Sequence, residues 1–245
     1  MTALRQIYRD QIVGIMDRLL ATEGAAWDAA RAAIVAALRA GRLVHVAGSG
    51  HSHLLALEVF YRAGGIAAAQ ALLDEDLMLH RGAERSTSLE RDSGRAAAVL
   101  TAAGLTAGDV IIVASNSGRN AYPVELALEA RAAGASVIAL TSLRHSRGVT
   151  SRHASGKRLF ELSDIVLDNG GEPGDAGLTV PGHPAPMGPT STLIGVWVLN
   201  SILAEAVAQL AAEGVIIDVW QSANGASGDN SAALIAKWRE RVRGL

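Results

Sequence analysis

The chain has 245 residues, of which 49% are hydrophobic and 19% charged, and its 22 basic and 24 acidic side chains give a formal net charge of −2. This length predicts one large domain or two small ones, and the composition excludes a disordered chain. A near-neutral charge provides no bulk attraction to nucleic acid or anionic membranes, so we expect neither as a partner. The absence of cysteine excludes disulfides, thiolate metal sites and a cysteine nucleophile. We expect no cofactor and no bound metal.

The first forty residues predict two helices. Apolar side chains recur at helical spacing, first at Leu4, Tyr8, Ile12, Ile15 and Leu19 and then at Trp27, Ala30, Ile34 and Leu38. Arginine and aspartate interrupt the apolar positions of residues 1–20, which is not the pattern of a secretory signal, so we expect a cytoplasmic protein. The two helices either cover the sheet of their own subunit or pack against a second copy.

Short apolar runs then alternate with helical segments. The runs that predict strands are 43–47, 66–73, Val110–Ala114, 136–140 and 165–167. The segments that predict helices between them lie near 53–62, 91–103 and 123–133. This alternation is typical of βαβ units and of a parallel sheet that helices cover on both faces. We therefore predict an α/β fold, a three-layer α/β/α sandwich preceded by two N-terminal helices.

A loop rich in proline and glycine follows, at residues 169–189. Long loops in compact domains are usually functional, so we interpret it as an active-site loop. It leads into an apolar helix at 192–212, in which polar residues recur at every fourth position from Ser201 to Gln209. This narrow polar stripe favours a mostly buried helix over a membrane span. A last helix is predicted at 227–243.

Two turns rich in glycine and serine directly follow predicted strands, from Gly48 to Ser52 and from Ser115 to Asn120. In an open parallel sheet, ligands bind beyond the carboxyl ends of the strands, where backbone N–H groups and hydroxyls meet anions. The residue spacing fits neither the dinucleotide fingerprint nor a P-loop. The predicted substrate- and phosphate-binding residues are Ser49, Gly50, His51, Ser52, Ser115, Asn116, Ser117, Gly118, Asn120 and, at the start of the apolar helix, Thr190 and Ser191.

These segments resemble a known family. The strand Val110–Ala114, the turn after it, the Ala/Glu-rich helix and the apolar run up to Thr141 look like the signature of the SIS (sugar isomerase) phosphosugar-binding domain. The resemblance covers nearly the whole chain and is closest to single-domain proteins related to phosphoheptose isomerases, amino-sugar phosphate isomerases and N-acetylmuramic acid 6-phosphate etherase. It implies a five-stranded parallel sheet and a sugar phosphate ligand. We treat 1–245 as one domain, with a helical pair at 1–41 and the α/β core with C-terminal helices at 42–245.

The resemblance also assigns roles by position. Ser115, Ser117 and Asn120 match the phosphate loop, and Ser49 and Ser52 match the sugar-contacting turn. Asn120 stands at a position where threonine is common in the family, and its side-chain amide still provides a hydrogen-bond donor. The long apolar helix contains no histidine, so the Glu and His pair of phosphoheptose isomerases is in doubt here. Because sites of this family are often shared between subunits, we expect a homodimer or homotetramer with the site near the interface.

Isomerisation of a sugar needs a base that removes the proton beside a carbonyl and a group that stabilises the enediolate oxygen. Glu75, just past a predicted strand, is our preferred base and resembles the base position of amino-sugar synthases. His80 faces the same crevice if a helix joins it to Glu75. Glu58 is the other candidate, and in apolar surroundings its carboxylate needs a partner such as Arg62. An acidic helix start is the alternative for Glu75, and a structural ion pair is the alternative for Glu58.

Together these residues predict a cofactor-independent enzyme that acts on a sugar or amino-sugar 6-phosphate, such as glucosamine 6-phosphate, N-acetylglucosamine 6-phosphate or a heptose phosphate. After proton removal at C2, reprotonation at C1 gives the isomer and expulsion of a group at C3 gives elimination. The residues favour neither outcome, because both need the same base and phosphate anchor. The alternative function is a non-catalytic phosphosugar sensor, since a phosphate loop alone only binds.

Overall fold

The computed structural model describes residues 3–222 and 230–245. Within them, a five-stranded parallel sheet has the strand order β2-β1-β3-β4-β5. The strands are β1 (Val44–Gly48), β2 (Ala69–Leu72), β3 (Val110–Ala114), β4 (Ser136–Thr141) and β5 (Ile165–Asp168). The predicted strands are therefore confirmed. β2 is shorter than its apolar run because Ile66, at the start of that run, pairs with Val219 in an antiparallel bridge instead.

Helices cover both faces of this sheet. They are α1 (Leu4–Thr22), α2 (Gly24–Arg39), α3 (His53–Val59), α4 (Ala83–Leu89), α5 (Ala96–Ala103), α6 (Ala121–Ala132), α7 (Leu143–Arg147), α8 (Ser191–Ala212) and α9 (Ser231–Trp238). Successive strand residues point to opposite faces: Ile112 packs in the core formed with α2, α3 and α8, and Ile111 packs in the core formed with α5 and α6. This alternation produces the predicted three-layer sandwich.

Three helices are shorter than predicted. α3 ends at Val59 because Tyr61, two residues on, adopts a left-handed backbone with φ 43°. α5 begins only after Arg95, whose side chain turns to the carboxylate of Asp74. α9 lies within the last predicted helix, and residues 227–229 of that prediction are outside the described residues.

The N-terminal helices differ in what they cover. α2 packs against α8 and β5 and buries Ala30 and Ile34 completely, so this helix covers the sheet of its own subunit. α1 packs on α2 and α8 through Ile15 and Leu19. Four large apolar side chains of α1 remain exposed: Leu4, Ile7, Val13 and Leu20.

α8 is long and apolar enough to cross a membrane, judged by length and composition alone. In the structure this helix packs against α2 and α3. It buries Ile194, Val198 and Ile202 in the core. Its role in the fold is therefore that of a core helix, as its polar stripe predicted.

The strand order creates a switch point between β1 and β3. From β1 the chain proceeds to β2 on one side, whereas β3, β4 and β5 follow on the other side. The parallel register pairs Ala47 with Val113 and Gly48 with Ala114. The turns that follow β1 and β3 therefore open side by side at the carboxyl edge, where open α/β sheets bind their ligands.

Candidate functional site

A narrow crevice lies at this switch point. Its lining comes from the turns after β1 and β3, the end of β5 and the first residues of α8: His51, Ser52, Leu55, Ala114, Ser115, Asn116, Leu140, Asn169, Ser191 and Thr192. The structure thus brings together predicted binding residues from three separate segments. The free volume is about 20 Å³, which is room for about one water molecule and not for a sugar phosphate.

The turn after β1 is shaped by a close backbone approach. A Cβ at Gly48 would lie 2.5 Å from the Cβ of Ser52 and 2.7 Å from its carbonyl oxygen, so only glycine fits there. The backbone N–H of Ser52 donates to the carbonyl of Ser49 at 2.9 Å. The hydroxyls of Ser49 and Ser52 make no hydrogen bond to any described residue. Both remain available to a ligand.

The turn after β3 is held by its own side chains. The Oγ of Ser115, a buried residue, accepts from the backbone N–H of Gly118 at 3.2 Å, and the Ser115 carbonyl accepts from the Thr141 hydroxyl at 2.7 Å. Gly118 has φ +55°, and a Cβ there would lie 3.0 Å from Leu159. The Ser117 hydroxyl has no hydrogen bond to the described residues. The turn is therefore preformed, with Ser117 as a free donor.

Asn169 is a site residue that the sequence analysis missed. Its Nδ2 donates to Oδ1 of Asn116 at 2.6 Å, and its Oδ1 accepts from the backbone N–H of Gly171 at 2.9 Å. The contact holds the Asn116 side chain with its remaining N–H groups free to donate. The only signal in the sequence was the position of Asn169 directly after the fifth strand.

The N-terminus of α8 is occupied by a carboxylate of the long loop. Oδ1 of Asp175 accepts from the backbone N–H groups of Thr190 at 3.1 Å and Ser191 at 2.9 Å, and Oδ2 accepts from the Ser191 hydroxyl at 2.5 Å. An acidic group is favourable there because of the helix dipole. The backbone N–H of Thr190 and both the N–H and the hydroxyl of Ser191, two residues predicted to bind ligand, are thus already engaged by Asp175.

Glu58 lies on α3 with its side chain largely buried, 14% exposed. Oε1 accepts from Nδ2 of Asn200 on α8 at 2.9 Å and pairs with Nε of Arg62 at 3.2 Å. The predicted partner Arg62 is therefore present, and Asn200 is a second partner that the sequence analysis missed. Oε2 has no hydrogen bond to a described residue.

Glu75 and His80 do not lie on one helix, which corrects the expectation that a helix would aim both at one crevice. Two separate 3-10 turns, Glu75–Leu77 and Leu79–Arg81, carry them, and Met78 between the turns is extended. Both side chains are exposed. Glu75 does not line the crevice: it lines a groove of about 630 Å³ along the edge strand β2.

Of two buried histidines, His53 begins α3 just after the turn that follows β1, whereas His45 lies near the start of β1. Burial lowers the pKa of His53, against the opposing influence of the Gly50 backbone and the Asp74 carboxylate. His45 pairs through Nε2 with Oδ2 of Asp109 at 3.2 Å. Burial alone raises the pKa of Asp109, but hydrogen bonds from His45 and from the backbone outweigh burial and hold this pKa at about 2. Among residues 3–222 and 230–245, no three His, Asp or Glu side chains cluster as metal ligands do.

The doubly wound sheet and the donor-rich crevice define an open α/β protein with a candidate ligand site at the switch point. A profile described as the SIS domain matches residues 7–142. The chain is 41% identical over 236 residues to a UPF0309 protein of Listeria innocua, with 96% of both chains covered. It is 43% identical over 211 residues to a UPF0309 protein of Geobacillus thermodenitrificans, with 86% of this chain and 85% of the relative covered. The chain belongs to the SIS domain family and to the UPF0309 group within it.

Solved structures share this fold. The phosphoheptose isomerase of Neisseria gonorrhoeae matches with a TM-score of 0.56 and 17% identity over 83% of this chain and 96% of that chain. The sugar isomerase domain of an RpiR transcription factor from Sphaerobacter thermophilus matches with a TM-score of 0.50 and 21% identity over 85% of this chain and 91% of that chain. The SIS-like fold expected from the resemblance is confirmed, and this fold occurs both in an isomerase and in a regulator.

Proposed function

We propose that the chain is a cytoplasmic enzyme that binds a sugar or amino-sugar 6-phosphate and removes the proton at C2. The observation that carries this proposal is that one helix links the Ser52 hydroxyl, which lines the crevice, to the Glu58 carboxylate, which lies beyond the crevice lining. Ser52 precedes α3 and lines the crevice, and Glu58 lies further along the same helix. Six residues of helix rise about 9 Å, which is comparable to the distance from the phosphate to C2 of a hexose 6-phosphate.

In this arrangement the phosphate binds the two turns. The free hydroxyls of Ser52 and Ser117 donate to its oxygens, and the backbone around Gly50 and Gly118 allows close approach. The sugar then extends along the groove between α3 and α8 toward Glu58. The crevice itself has only about 20 Å³ of space, so we infer that the loop at 169–189 moves outward when the ligand enters.

Glu58 is the base in this proposal. One carboxylate oxygen is held by Asn200 and Arg62, while the other has no partner among the described residues and is free to take a proton. Two contacts on one oxygen orient the carboxylate, as a positioned base requires. Glu75 is the weaker candidate, because its exposed side chain lines the β2 groove and its carboxylate has no hydrogen bond or ion pair to a described residue.

Proton removal at C2 gives an enediolate or its amino-sugar equivalent. Return of the proton to C1 completes an isomerisation, as for glucosamine 6-phosphate or a heptose phosphate. When an acetamido nitrogen at C2 blocks that exchange, as in N-acetylglucosamine 6-phosphate, loss of a group from C3 gives elimination. Both reactions use the phosphate anchor and base proposed above.

A second copy of the chain covers the base in this proposal. Leu54 and Leu57 lie at exposed positions of α3 near Glu58, Tyr61 is exposed just beyond the end of α3, and Leu193 is exposed on α8. Large apolar side chains grouped in this way are typical of a subunit interface. We therefore propose a homodimer or homotetramer in which these side chains are buried and water is excluded from the groove.

A phosphosugar sensor without catalysis is the second candidate function. It is favoured by the likeness to the sugar isomerase domain of an RpiR transcription factor. A sensor needs the two glycine- and serine-rich turns to bind phosphate, but it does not need a carboxylate that is positioned by two partners. For this reason we favour the enzyme.

The test begins with thermal unfolding of the purified protein in the presence of sugar 6-phosphates, their unphosphorylated parents and free phosphate. A ligand at 100 times its Kd stabilises by about 2.7 kcal/mol. Compounds that stabilise are then incubated with the protein in D2O and followed by NMR. Deuterium at C2 supports the proposal, and the product distinguishes isomerisation from elimination. Stabilisation without exchange or turnover for any compound would favour the sensor.

A further inference from the structure

Three arginines surround the outer side of the turn after β3. Arg119 belongs to the turn itself, and Arg152 is tied to it twice: its Nη1 donates to Oδ1 of Asn120 at 3.0 Å, and its backbone N–H donates to the carbonyl of Arg119 at 2.7 Å. Arg91 lies close enough for its charge to act on Arg152. We call Arg91, Arg119 and Arg152 the arginine cluster.

The cluster lacks counter-ions within the described part of the chain. None of its three guanidinium groups forms a salt bridge there, although the guanidinium of Arg119 donates from Nε to the carbonyl of Thr150 at 2.8 Å and from Nη2 to the Thr150 hydroxyl at 3.3 Å. Burial and the charges of Arg119 and Arg91 lower the pKa of Arg152, and Glu90 opposes them. Like charges held together without a salt-bridged carboxylate repel one another, and a bound anion relieves that repulsion.

The turn next to the cluster presents donors. Asn120 is buried and precedes the first residue of α6. Its Oδ1 is engaged by Arg152, so its remaining amide hydrogens are available as donors. Ser117 belongs to the same turn, and α6 begins directly after Asn120, so its N-terminus, which favours negative charge, lies at the end of the turn. Such a set of donors beside fixed cations suits a phosphate dianion, which carries about −1.5 to −2 charges at pH 7.

Arg119 also connects the cluster to the crevice. Its charge acts on His145, which is in turn within electrostatic range of Asp175. Asp175 binds Ser191 at the crevice wall. Arg119 follows Ser115 and Asn116 in the turn after β3, and these two residues line the crevice, so the cluster lies beside the crevice.

We propose that Arg119 and Arg152, supported by Arg91, are the cationic half of the phosphate site and select a doubly charged phosphate over neutral sugars and singly charged anions. This inference rests on the proposed function and deepens it by assigning charge recognition to residues outside the glycine and serine turns.

The test measures the binding of inorganic phosphate and of glucosamine 6-phosphate by calorimetry, at low and at high salt, to the full-length wild type and to variants. Arg152→Gln and Arg119→Gln are expected to weaken the binding of both ligands at least tenfold and to reduce the salt dependence of the Kd. Arg152→Lys keeps the positive charge but loses the planar guanidinium, which can donate two parallel hydrogen bonds. This variant is therefore expected to retain part of the affinity. Arg239→Gln, on the exposed C-terminal segment, is the matched control and is expected to bind like the wild type. Circular dichroism establishes that each variant is folded.

The outcomes separate this inference from the proposed function. One outcome is that Ser117→Ala loses binding while Arg152→Gln and Arg119→Gln bind like the wild type. This outcome would overturn the role of the arginine cluster and keep the proposed phosphosugar site. Binding of inorganic phosphate that depends on Arg152, without binding of any sugar phosphate, would keep the cluster as an anion site and overturn the proposed function. A wild type that binds neither ligand would overturn both.

Discussion

Asn200 on α8 donates a 2.9 Å hydrogen bond to the carboxylate of Glu58 on α3, across 142 positions of sequence. This contact joins two packed helices and holds one oxygen of the Glu58 carboxylate. We predict that Glu58→Gln abolishes the proposed proton transfer, because the amide cannot accept the C2 proton. Exchange of deuterium into C2, followed by NMR, is expected to fall at least 100-fold, with the Kd for the sugar phosphate within about twofold of the wild type.

Glu75→Gln is the matched comparison, since it makes the same chemical change at an exposed carboxylate outside the crevice. We predict no change in C2 exchange and no change in binding. The opposite result is that exchange is lost in Glu75→Gln and kept in Glu58→Gln. This result would identify Glu75 as the base and contradict the proposed site.

We predict that Asp175→Asn loosens the start of α8 and favours ligand entry. The amide replaces a carboxylate that accepts three hydrogen bonds at the helix N-terminus, so the free energy of unfolding is expected to fall by about 1 kcal/mol. If Asp175 leaves this position when the ligand binds, Asp175→Asn lowers the Kd for the ligand severalfold. Urea unfolding and calorimetry measure the two effects. Weaker binding in Asp175→Asn would show that this carboxylate helps to hold the ligand.

Leu57→Glu is predicted to separate the subunits. Leu57 is 44% exposed on the face of α3 beside Glu58, and a charge buried in an apolar interface is strongly unfavourable. Analytical ultracentrifugation is expected to show the variant as a 25.3 kDa monomer and the wild type as a larger species. Ile216→Glu, at a position 81% exposed, is the control and is expected to sediment like the wild type. A monomeric wild type would contradict the shared site.

The buried pair of His45 and Asp109 predicts a specific loss of stability in acid. The pKa of Asp109 is about 2 in the folded protein, below its ordinary value of about 3.9. A depressed carboxyl pKa contributes stability that is present above the unfolded pKa and lost as the pH falls toward the folded one. We expect this contribution to be about 2 kcal/mol at neutral pH and to disappear between about pH 4 and pH 2.

Urea unfolding as a function of pH checks this prediction. Asp109→Asn is expected to be less stable than the wild type at pH 7, with a difference that shrinks below pH 4. Asp28→Asn removes an exposed carboxylate that pairs with Arg31 and is expected to change stability by less than about 1 kcal/mol at either pH. A difference between wild type and Asp109→Asn that stays constant from pH 7 to pH 2 would contradict the assignment.

Local patterns in the sequence were sufficient to predict the sheet, the helices on its two faces and the two turns at its carboxyl edge. Strand periodicity, helical periodicity and the preference of tight turns for glycine act over a few residues. Gly48 illustrates this: the close approach of Ser52 four positions later admits no side chain there. The helix ends were less predictable, because Tyr61 ends α3 with a backbone conformation that its residue type does not indicate.

The tertiary structure alone decided which side chains meet. Asn200 reaches Glu58, Asn169 reaches Asn116 and Asp175 reaches Ser191 only because helices and loops from distant parts of the chain pack together. The exposure of Glu75 likewise depends on its place beside the edge strand β2. Packing between elements is governed by the shape and burial of whole surfaces. The residues that form such a surface do not recur at a fixed spacing along the sequence, so no local pattern predicts their contacts. The sequence by itself determined the kind of fold and where its two glycine- and serine-rich turns lie, while the packing of α3 against α8 determined which side chain meets the Glu58 carboxylate.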